Sequence, residues 1–312
     1  MKMSVTYDGI TYEVNQDEEL KIHNARLTDI SHIKGLDSLT SLKKLEITGS
    51  KITKIKGLEN LTNLEVLDLT GNQISGIKGL ENLTNIVILR LGRNYISEIK
   101  DLDFLPKLEI LNLENNQISE IKGLGTLTNL EILSIGNYKK YYGNSKINQI
   151  SEIKGLEMLT KLKLLSLQNN QITELKGLET QTNLEKLYIS GNQISEIKKL
   201  GNLINLEKLN LDENQITEIK GVENLSNLIE LFLQNNQIYE LKGIEALKNL
   251  KDLWLSNNRI TRLDDLKFLS TLDTADLSDN QISYVNWDSI NEDKYTITKK
   301  IWLARNPIWC TL

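Results

Sequence analysis

Leucine or isoleucine returns every 22 residues along most of this chain. The step is broken once, where 32 residues separate positions 130 and 162. A period of this length is typical of a solenoid, in which each stacked coil contacts only its neighbours. The 312 residues are therefore expected to form one repeat domain rather than two globular cores. The recurring position is occupied by Leu42, Leu64, Ile86, Leu108, Leu130, Leu162, Leu184, Leu206, Leu228, Leu250 and Leu272.

Each coil follows the pattern L-x-x-L-x-L-x-x-N-x-I. In a short strand the side chains alternate, so Leu67 and Leu69 are predicted to point inward and Asp68 outward. An asparagine amide at the following turn can satisfy backbone groups of the bending chain. Stacking predicts a buried ladder of these amides, with Ser50 in the asparagine position of the second coil. The ladder positions are Asn72, Asn94, Asn116, Asn148, Asn170, Asn192, Asn214, Asn236, Asn258 and Asn280.

These motifs resemble the leucine-rich repeat in its 22-residue class, over roughly residues 20–308. That class includes a leucine-rich repeat regulatory subunit of protein phosphatase one and the internalin repeat domains. The resemblance implies an α/β solenoid, a right-handed curved horseshoe with a parallel concave β-sheet and short 3-10 or irregular convex segments. The repeats predict about 13 strands, centred near Ile22, Ile47, Leu69, Leu91, Leu113, Ile135, Leu167, Ile189, Leu211, Leu233, Leu255, Leu277 and Leu303.

Both ends of a solenoid must be covered. At the start, Asp8-Gly9 separates two alternating runs, which predicts a two-residue hairpin turn within residues 4–14. We expect one domain over 1–312, with a hairpin cap at 1–19, repeats at 20–284 and an insert at 138–147. The last repeat and a C-terminal cap are expected at 285–312, where Trp287 covers the final core layer.

Composition excludes several function classes. The net charge is −5 and no basic block occurs, which argues against nucleic-acid binding. The only cysteine, Cys310, excludes an intramolecular disulfide. No apolar run is long enough for membrane insertion, and the start lacks a signal-peptide run, so a cytoplasmic location is expected. A secreted form whose leader has been removed is the alternative. His23 and His32 show no metal-ligand spacing, and no catalytic constellation is present, so neither enzyme activity nor a cofactor is expected.

The concave strand face of a solenoid usually binds the partner. One outward column of this chain is aliphatic on five successive coils. Strand propensity alone is one explanation, since β-branched residues suit strands even when exposed. Five coils in sequence favour a binding surface instead. The column comprises Val66, Ile88, Ile110, Ile132 and Leu164.

A second outward column carries large rings at Tyr188, Phe232 and Trp254. Aromatic anchors ringed by charge are typical of binding hot spots. The opposing cations counted here are Lys186 and Lys208, so this part of the face is predicted to be acidic. The surrounding acids are Asp212, Glu213, Glu230, Asp252, Asp276 and Asp279.

The insert at 138–147 leaves the repeat directly after a predicted strand. A loop at that point can lean over the concave face and offer Tyr138, Tyr141 and Tyr142 to a partner. Tyrosine gives rigid amphipathic contact area at low entropic cost. The alternative is a neutral surface insertion, which loops tolerate well.

We therefore expect a non-catalytic, monomeric protein-interaction module that acts as a scaffold or regulatory subunit. Its partner should carry a basic patch beside an apolar ridge. The resemblance implies two alternatives. One is a regulatory subunit of a serine/threonine protein phosphatase, because Tyr188, Phe232, Trp254, Asp252 and Asp276 are placed like the acidic and aromatic concave residues of that class. The other is an internalin-like surface adhesin, which requires a leader and usually an anchoring tail.

Overall fold

A computed structural model describes residues 3–138, 147–285 and 300–308. The chain divides into two compact units, Met1–Leu162 and Lys163–Leu312. The single domain and the cap boundaries expected from the sequence stay predictions. Of the residues assigned to the end caps and the insert, Trp287, Cys310, Tyr141 and Tyr142 lie outside the described residues.

The first unit begins with a hairpin and continues with six parallel strands in chain order. The hairpin strands are β1 (Ser4–Tyr7) and β2 (Ile10–Glu13). The parallel strands are β3 (Glu19–His23), β4 (Lys44–Thr48), β5 (Val66–Asp68), β6 (Ile88–Arg90), β7 (Ile110–Asn112) and β8 (Ile132–Ser134).

The second unit holds seven parallel strands, also in chain order. The thirteen parallel strands confirm the predicted solenoid and its strand number. The strands are β9 (Leu164–Ser166), β10 (Lys186–Tyr188), β11 (Lys208–Asn210), β12 (Glu230–Phe232), β13 (Asp252–Trp254), β14 (Thr274–Asp276) and β15 (Lys300–Trp302).

The short strands are centred two residues before the predicted positions, on Leu67 rather than Leu69 in β5. The asparagine side chains explain the difference. The Leu69 carbonyl accepts hydrogen bonds from the amide nitrogens of Asn72 and Asn94 at 2.9 and 3.0 Å, so it is taken out of strand pairing. The second leucine of each pattern is still buried, but it already belongs to the turn.

The segments that return between strands are irregular or 3-10 helical, as predicted. The described residues contain no α-helix, and none of their helices has the length and apolar character to cross a bilayer. The 3-10 helices are Ile30–His32 and Leu36–Ser38 in the first unit, and Ile244–Ala246 and Asp264–Phe268 in the second.

The predicted N-terminal hairpin is present, with its turn at Asp8 and Gly9. Both residues have positive φ, 49° and 75°, as a two-residue hairpin turn requires. Thr6 and Lys34 exchange two backbone hydrogen bonds of 3.0 and 2.9 Å, and Val5 is buried. The hairpin is therefore joined to the first coil and shields part of its core.

The conserved spacing of asparagines produces the predicted ladder. Asn94 is fully buried, and its Oδ1 accepts a hydrogen bond from the Ile74 N–H at 3.0 Å. Its Nδ2 donates to the carbonyls of Leu69 and Leu91, each at 3.0 Å. One amide thus satisfies its own coil and the preceding coil. Ser50 is too short for this role, and its buried hydroxyl has no hydrogen-bond partner.

The insert does not interrupt the ladder within the first unit. Asn148 follows the insert, yet its Nδ2 donates to Leu113 and Ile135 at 3.0 Å and its Oδ1 accepts from the Ile118 N–H at 2.9 Å. These contacts match those of Asn94. The additional residues therefore leave the turn without displacing the repeat that follows them.

Asn94→Ala is expected to lower the free energy of unfolding by about 3 kcal/mol, because it leaves a buried N–H and two buried carbonyls short of a partner. Urea unfolding gives the loss, and hydrogen exchange of the Ile74 amide locates it. The matched control is Asn63→Ala, which removes one exposed hydrogen bond to the Thr40 carbonyl at 2.9 Å and should cost under about 1 kcal/mol. Equal losses in the two variants would contradict the role assigned to the ladder.

Candidate functional site

Each short strand buries its middle side chain and leaves the flanking two half-exposed. These flanking side chains form the open face of the sheet, called here the sheet face. The parallel strands pair in register, so that Phe232 of β12 aligns with Trp254 of β13. Residues that are 22 positions apart in the sequence therefore become neighbours on this face.

Three rings form a row on the sheet face of the second unit. Phe232 and Trp254 stack with centroids 6.1 Å apart and planes within 1° of parallel. Trp254 also contacts Trp302, with centroids 5.5 Å apart and planes tilted by 57°. Asp276 lies on the strand between the two tryptophans. We call Phe232, Trp254 and Trp302 the aromatic row.

The aromatic row differs in membership from the three rings singled out in the sequence. Tyr188 is half-buried on β10, and Asn210 of β11 separates it from Phe232. Trp302 takes part instead, with 46% of its surface exposed. It occupies the same outward position of the pattern as Trp254, which was the available signal. Its 26-residue distance from Asp276, against the usual 22, concealed the contact.

A lysine already lies on this face. The Lys208 ammonium is 2.5 Å from the Glu230 carboxylate and 4.8 Å from the centre of the Phe232 ring. It therefore makes an ion pair and a cation–π contact at once. Sequence reasoning counted Lys208 as a free positive charge and did not place it on the ring.

The acidic character of this face is weaker than predicted. Glu230 is neutralised by Lys208, and Asp279 pairs with Arg305 at 2.5 Å. The sequence count of opposing cations omitted Arg305. Glu213 is half-buried at a turn with a φ of 54°.

The three remaining aspartates differ in their hydrogen bonding. Asp212 accepts the Gln234 N–H at 2.8 Å, and Asp276 accepts the Ser278 N–H at 3.0 Å. Asp252 is half-exposed beside Glu230. Within the described part of the chain, neither Asp252 nor Asp276 forms an ion pair.

The aliphatic column occupies the sheet face of the first unit on four strands. Val66, Ile88, Ile110 and Ile132 align in register on β5 to β8, and all four are half-exposed. The fifth predicted member, Leu164, is half-exposed on β9 of the second unit. We call the four residues of the first unit the aliphatic stripe.

Tyr138, at the start of the insert, is anchored to a buried carboxylate. Its hydroxyl donates to Glu114 at 2.7 Å, and the Asn112 amide donates to the same oxygen at 2.9 Å. The Arg93 guanidinium lies 5.4 Å from the centre of the tyrosine ring. Glu114 was not identified from the sequence. The available signal was glycine in the equivalent positions of the neighbouring coils, Gly92 and Gly136, which leaves room for a larger side chain between them.

The Tyr138 contact predicts a pH effect. The hydrogen bond to Glu114, followed by burial, raises the pKa of Tyr138 from 10.0 to about 12. A raised pKa means that the folded state favours the neutral phenol. Its contribution to stability is thus complete below pH 10 and is lost as the pH rises towards 12.

Tyrosinate absorbance during an alkaline titration measures this directly. We expect a late ionisation that disappears in Tyr138→Phe. In Glu114→Gln the pKa of Tyr138 should fall, because the carboxylate charge is removed. A late phase that persists unchanged in both variants would contradict the assignment.

The described residues contain no cluster of three or more histidine, cysteine or acidic side chains suited to a metal ion. The site is therefore described by its rings, aliphatic side chains and charges.

Comparison with protein families gives two matches. A family model described as "Leucine-rich repeat region" matches residues 19–197. A second, "Leucine Rich repeats (2 copies)", matches residues 182–224 and 226–268. No curated protein matches the sequence.

Several solved structures are similar to this chain. An internalin (InlF) from Listeria monocytogenes is 29% identical, with a TM-score of 0.57 over 85% of this chain and 88% of that one. The functional domain of InlJ from the same organism, which includes a cysteine ladder, is 26% identical with a TM-score of 0.69. That match covers 86% of this chain but 54% of the InlJ chain, so this chain spans about half its length.

A further similarity concerns the fold alone. It is to a complex of latrophilin 3, Unc5D and the leucine-rich repeat region of FLRT2, with 23% identity and a TM-score of 0.69. The match covers 87% of this chain and 84% of that one.

Proposed function

The chain belongs to the leucine-rich repeat family, and on that premise we propose that it is a non-catalytic module that binds another protein through its sheet face. In the cell it acts as a scaffold or regulatory subunit. The observation that carries the proposal is the aromatic row, because three mutually contacting rings remain accessible on an ordered sheet.

The aromatic row has the physical properties of a binding anchor. Each ring offers a large apolar area at low entropic cost, and such area is most favourable when a partner removes it from water. The contacts between Phe232, Trp254 and Trp302 hold the rings in place before binding, so less conformational entropy is lost on association. Interface hot spots are enriched in such side chains.

The aliphatic stripe supports a second contact. Its members are Val66, Ile88, Ile110 and Ile132, which align on successive strands and remain half-exposed. A row of this kind matches an apolar ridge on the partner. The acids Asp252 and Asp276, which lack a cation among the described residues, match a basic patch. The partner we propose therefore presents both features, and this chain meets it as a monomer.

A surface adhesin is the second candidate function. The observation that favours it is the likeness to the Listeria internalins, at 29% identity for InlF. The same sheet face would serve either role, so the cellular location separates them. We keep the cytoplasmic location as our proposal, and cell fractionation tests it. A phosphatase is the more specific intracellular partner that the family resemblance implies.

Affinity capture from native lysate tests the proposed function. One bait is the wild-type chain, and the other carries Phe232→Ala, Trp254→Ala and Trp302→Ala. We expect a protein that the first bait retains and the second loses by at least tenfold, because truncating a hot-spot ring costs about 2 kcal/mol or more.

The matched control removes rings that lie off the sheet face. Phe104 and Phe268 are exposed on return segments, at 46% and 38%. The Phe104→Ala, Phe268→Ala bait should retain the partner at the wild-type level. If all three baits capture the same proteins, or if the control loses the partner as well, the aromatic row is not the anchor.

A further inference from the structure

We propose that Trp254 and Asp252 form a subsite for a basic side chain of the partner, arginine in preference to lysine. This inference rests on the proposed function and specifies the group that enters the sheet face. It is argued from a comparison of two neighbouring strands.

The first strand of the comparison already holds a cation. On β12, Glu230 and Phe232 occupy the two outward positions, two residues apart on the same face. Lys208, aligned with Glu230 on the preceding strand, supplies an ammonium that contacts both the carboxylate and the ring. The arrangement therefore demonstrates that a carboxylate and a ring at this spacing can hold a positive charge on this sheet.

The next strand repeats the carboxylate and the ring without the cation. On β13, Asp252 and Trp254 occupy the same two outward positions. The residue aligned with Asp252 on the preceding strand is Glu230, which takes the place that Lys208 holds one strand earlier. A second carboxylate therefore lies where the repeat would otherwise provide an ammonium.

The other neighbours of this subsite do not supply the charge. On the following strand, Thr274 aligns with Asp252 and Asp276 aligns with Trp254. Lys300 aligns with Thr274, two strands from Asp252. Among the described residues, no lysine or arginine lies over the Trp254 ring or forms an ion pair with Asp252. The subsite thus combines negative charge with an indole that is half-exposed.

The chemistry of the subsite favours arginine. A guanidinium stacks on an indole face and donates two parallel hydrogen bonds to a carboxylate, whereas an ammonium is a compact and more strongly hydrated charge. Trp302 contacts Trp254 and is itself exposed, so the two indoles offer an extended aromatic surface. Asp276 lies between them on β14 and adds negative charge.

The test uses a short glycine peptide with one central arginine as the probe. A second peptide carries lysine there, and a third carries citrulline, the uncharged analogue of arginine. The readout is the indole N–H signals of the four tryptophans in nitrogen-15 NMR spectra, assigned with Trp254→Phe. We expect the Trp254 and Trp302 signals to shift with the arginine peptide, less with lysine and not with citrulline.

Three variants define the binding group. Asp252→Asn should weaken arginine binding about tenfold, because a charge-assisted hydrogen bond is lost. Asp273→Asn removes an exposed carboxylate outside the subsite and should leave binding unchanged. Glu230→Lys should abolish binding, because its ammonium would lie over Trp254 and pair with Asp252, as Lys208 does one strand earlier.

Equal shifts with the citrulline peptide, or equal weakening by Asp252→Asn and Asp273→Asn, would overturn the inference. So would the absence of any shift at millimolar peptide. These outcomes are separate from failure of the proposed function, which concerns capture of a partner. A chain that captures a partner through its rings but ignores the arginine peptide refutes the subsite and leaves the proposed function standing.

Discussion

The side-chain amide of the repeated asparagine is the interaction on which the rest of this structure depends. A coil of 22 residues cannot bury its apolar face alone, and its turn leaves backbone groups that need partners away from water. Asn94 shows the solution, since it accepts from Ile74 and donates to Leu69 and Leu91. Because the same amide serves two successive coils, stacking and hydrogen bonding become one requirement. Ser50, with its unpartnered buried hydroxyl, shows what a coil loses without it.

This requirement fixes the inward positions and leaves the outward ones free. In-register pairing then places the outward residues of successive coils beside each other, so that a column of the sequence becomes a row on the sheet. The aromatic row, the aliphatic stripe and the pairing of Lys208 with Glu230 all arise in this way. The binding surface is thus composed one coil at a time, and a single substitution, such as glutamate in place of lysine at the position of Glu230, changes which charges a neighbouring ring and carboxylate can accept.

The period and the local motifs predicted most of the fold. The hairpin turn at Asp8-Gly9, the asparagine ladder and the number of strands follow from patterns that act within one coil or between adjacent coils. The site was harder to predict, because its contacts depend on side-chain reach. Trp302 meets Trp254 across the strand of Asp276, and the Tyr138 hydroxyl reaches Glu114, 24 positions earlier. Pairing of Lys208 with Glu230 also reduced an acidity that simple counting of charges had overstated.

Hydroxyl-radical footprinting of the chain, free and in complex with the protein it captures, tests the central claim most directly. It reports the solvent accessibility of each ring without any substitution. Our account requires that Phe232, Trp254 and Trp302 become protected from oxidation in the complex, while Phe104 and Phe268 stay as reactive as in the free chain. Protection of the return-segment rings together with unchanged reactivity of the aromatic row would place the interface elsewhere and contradict the account.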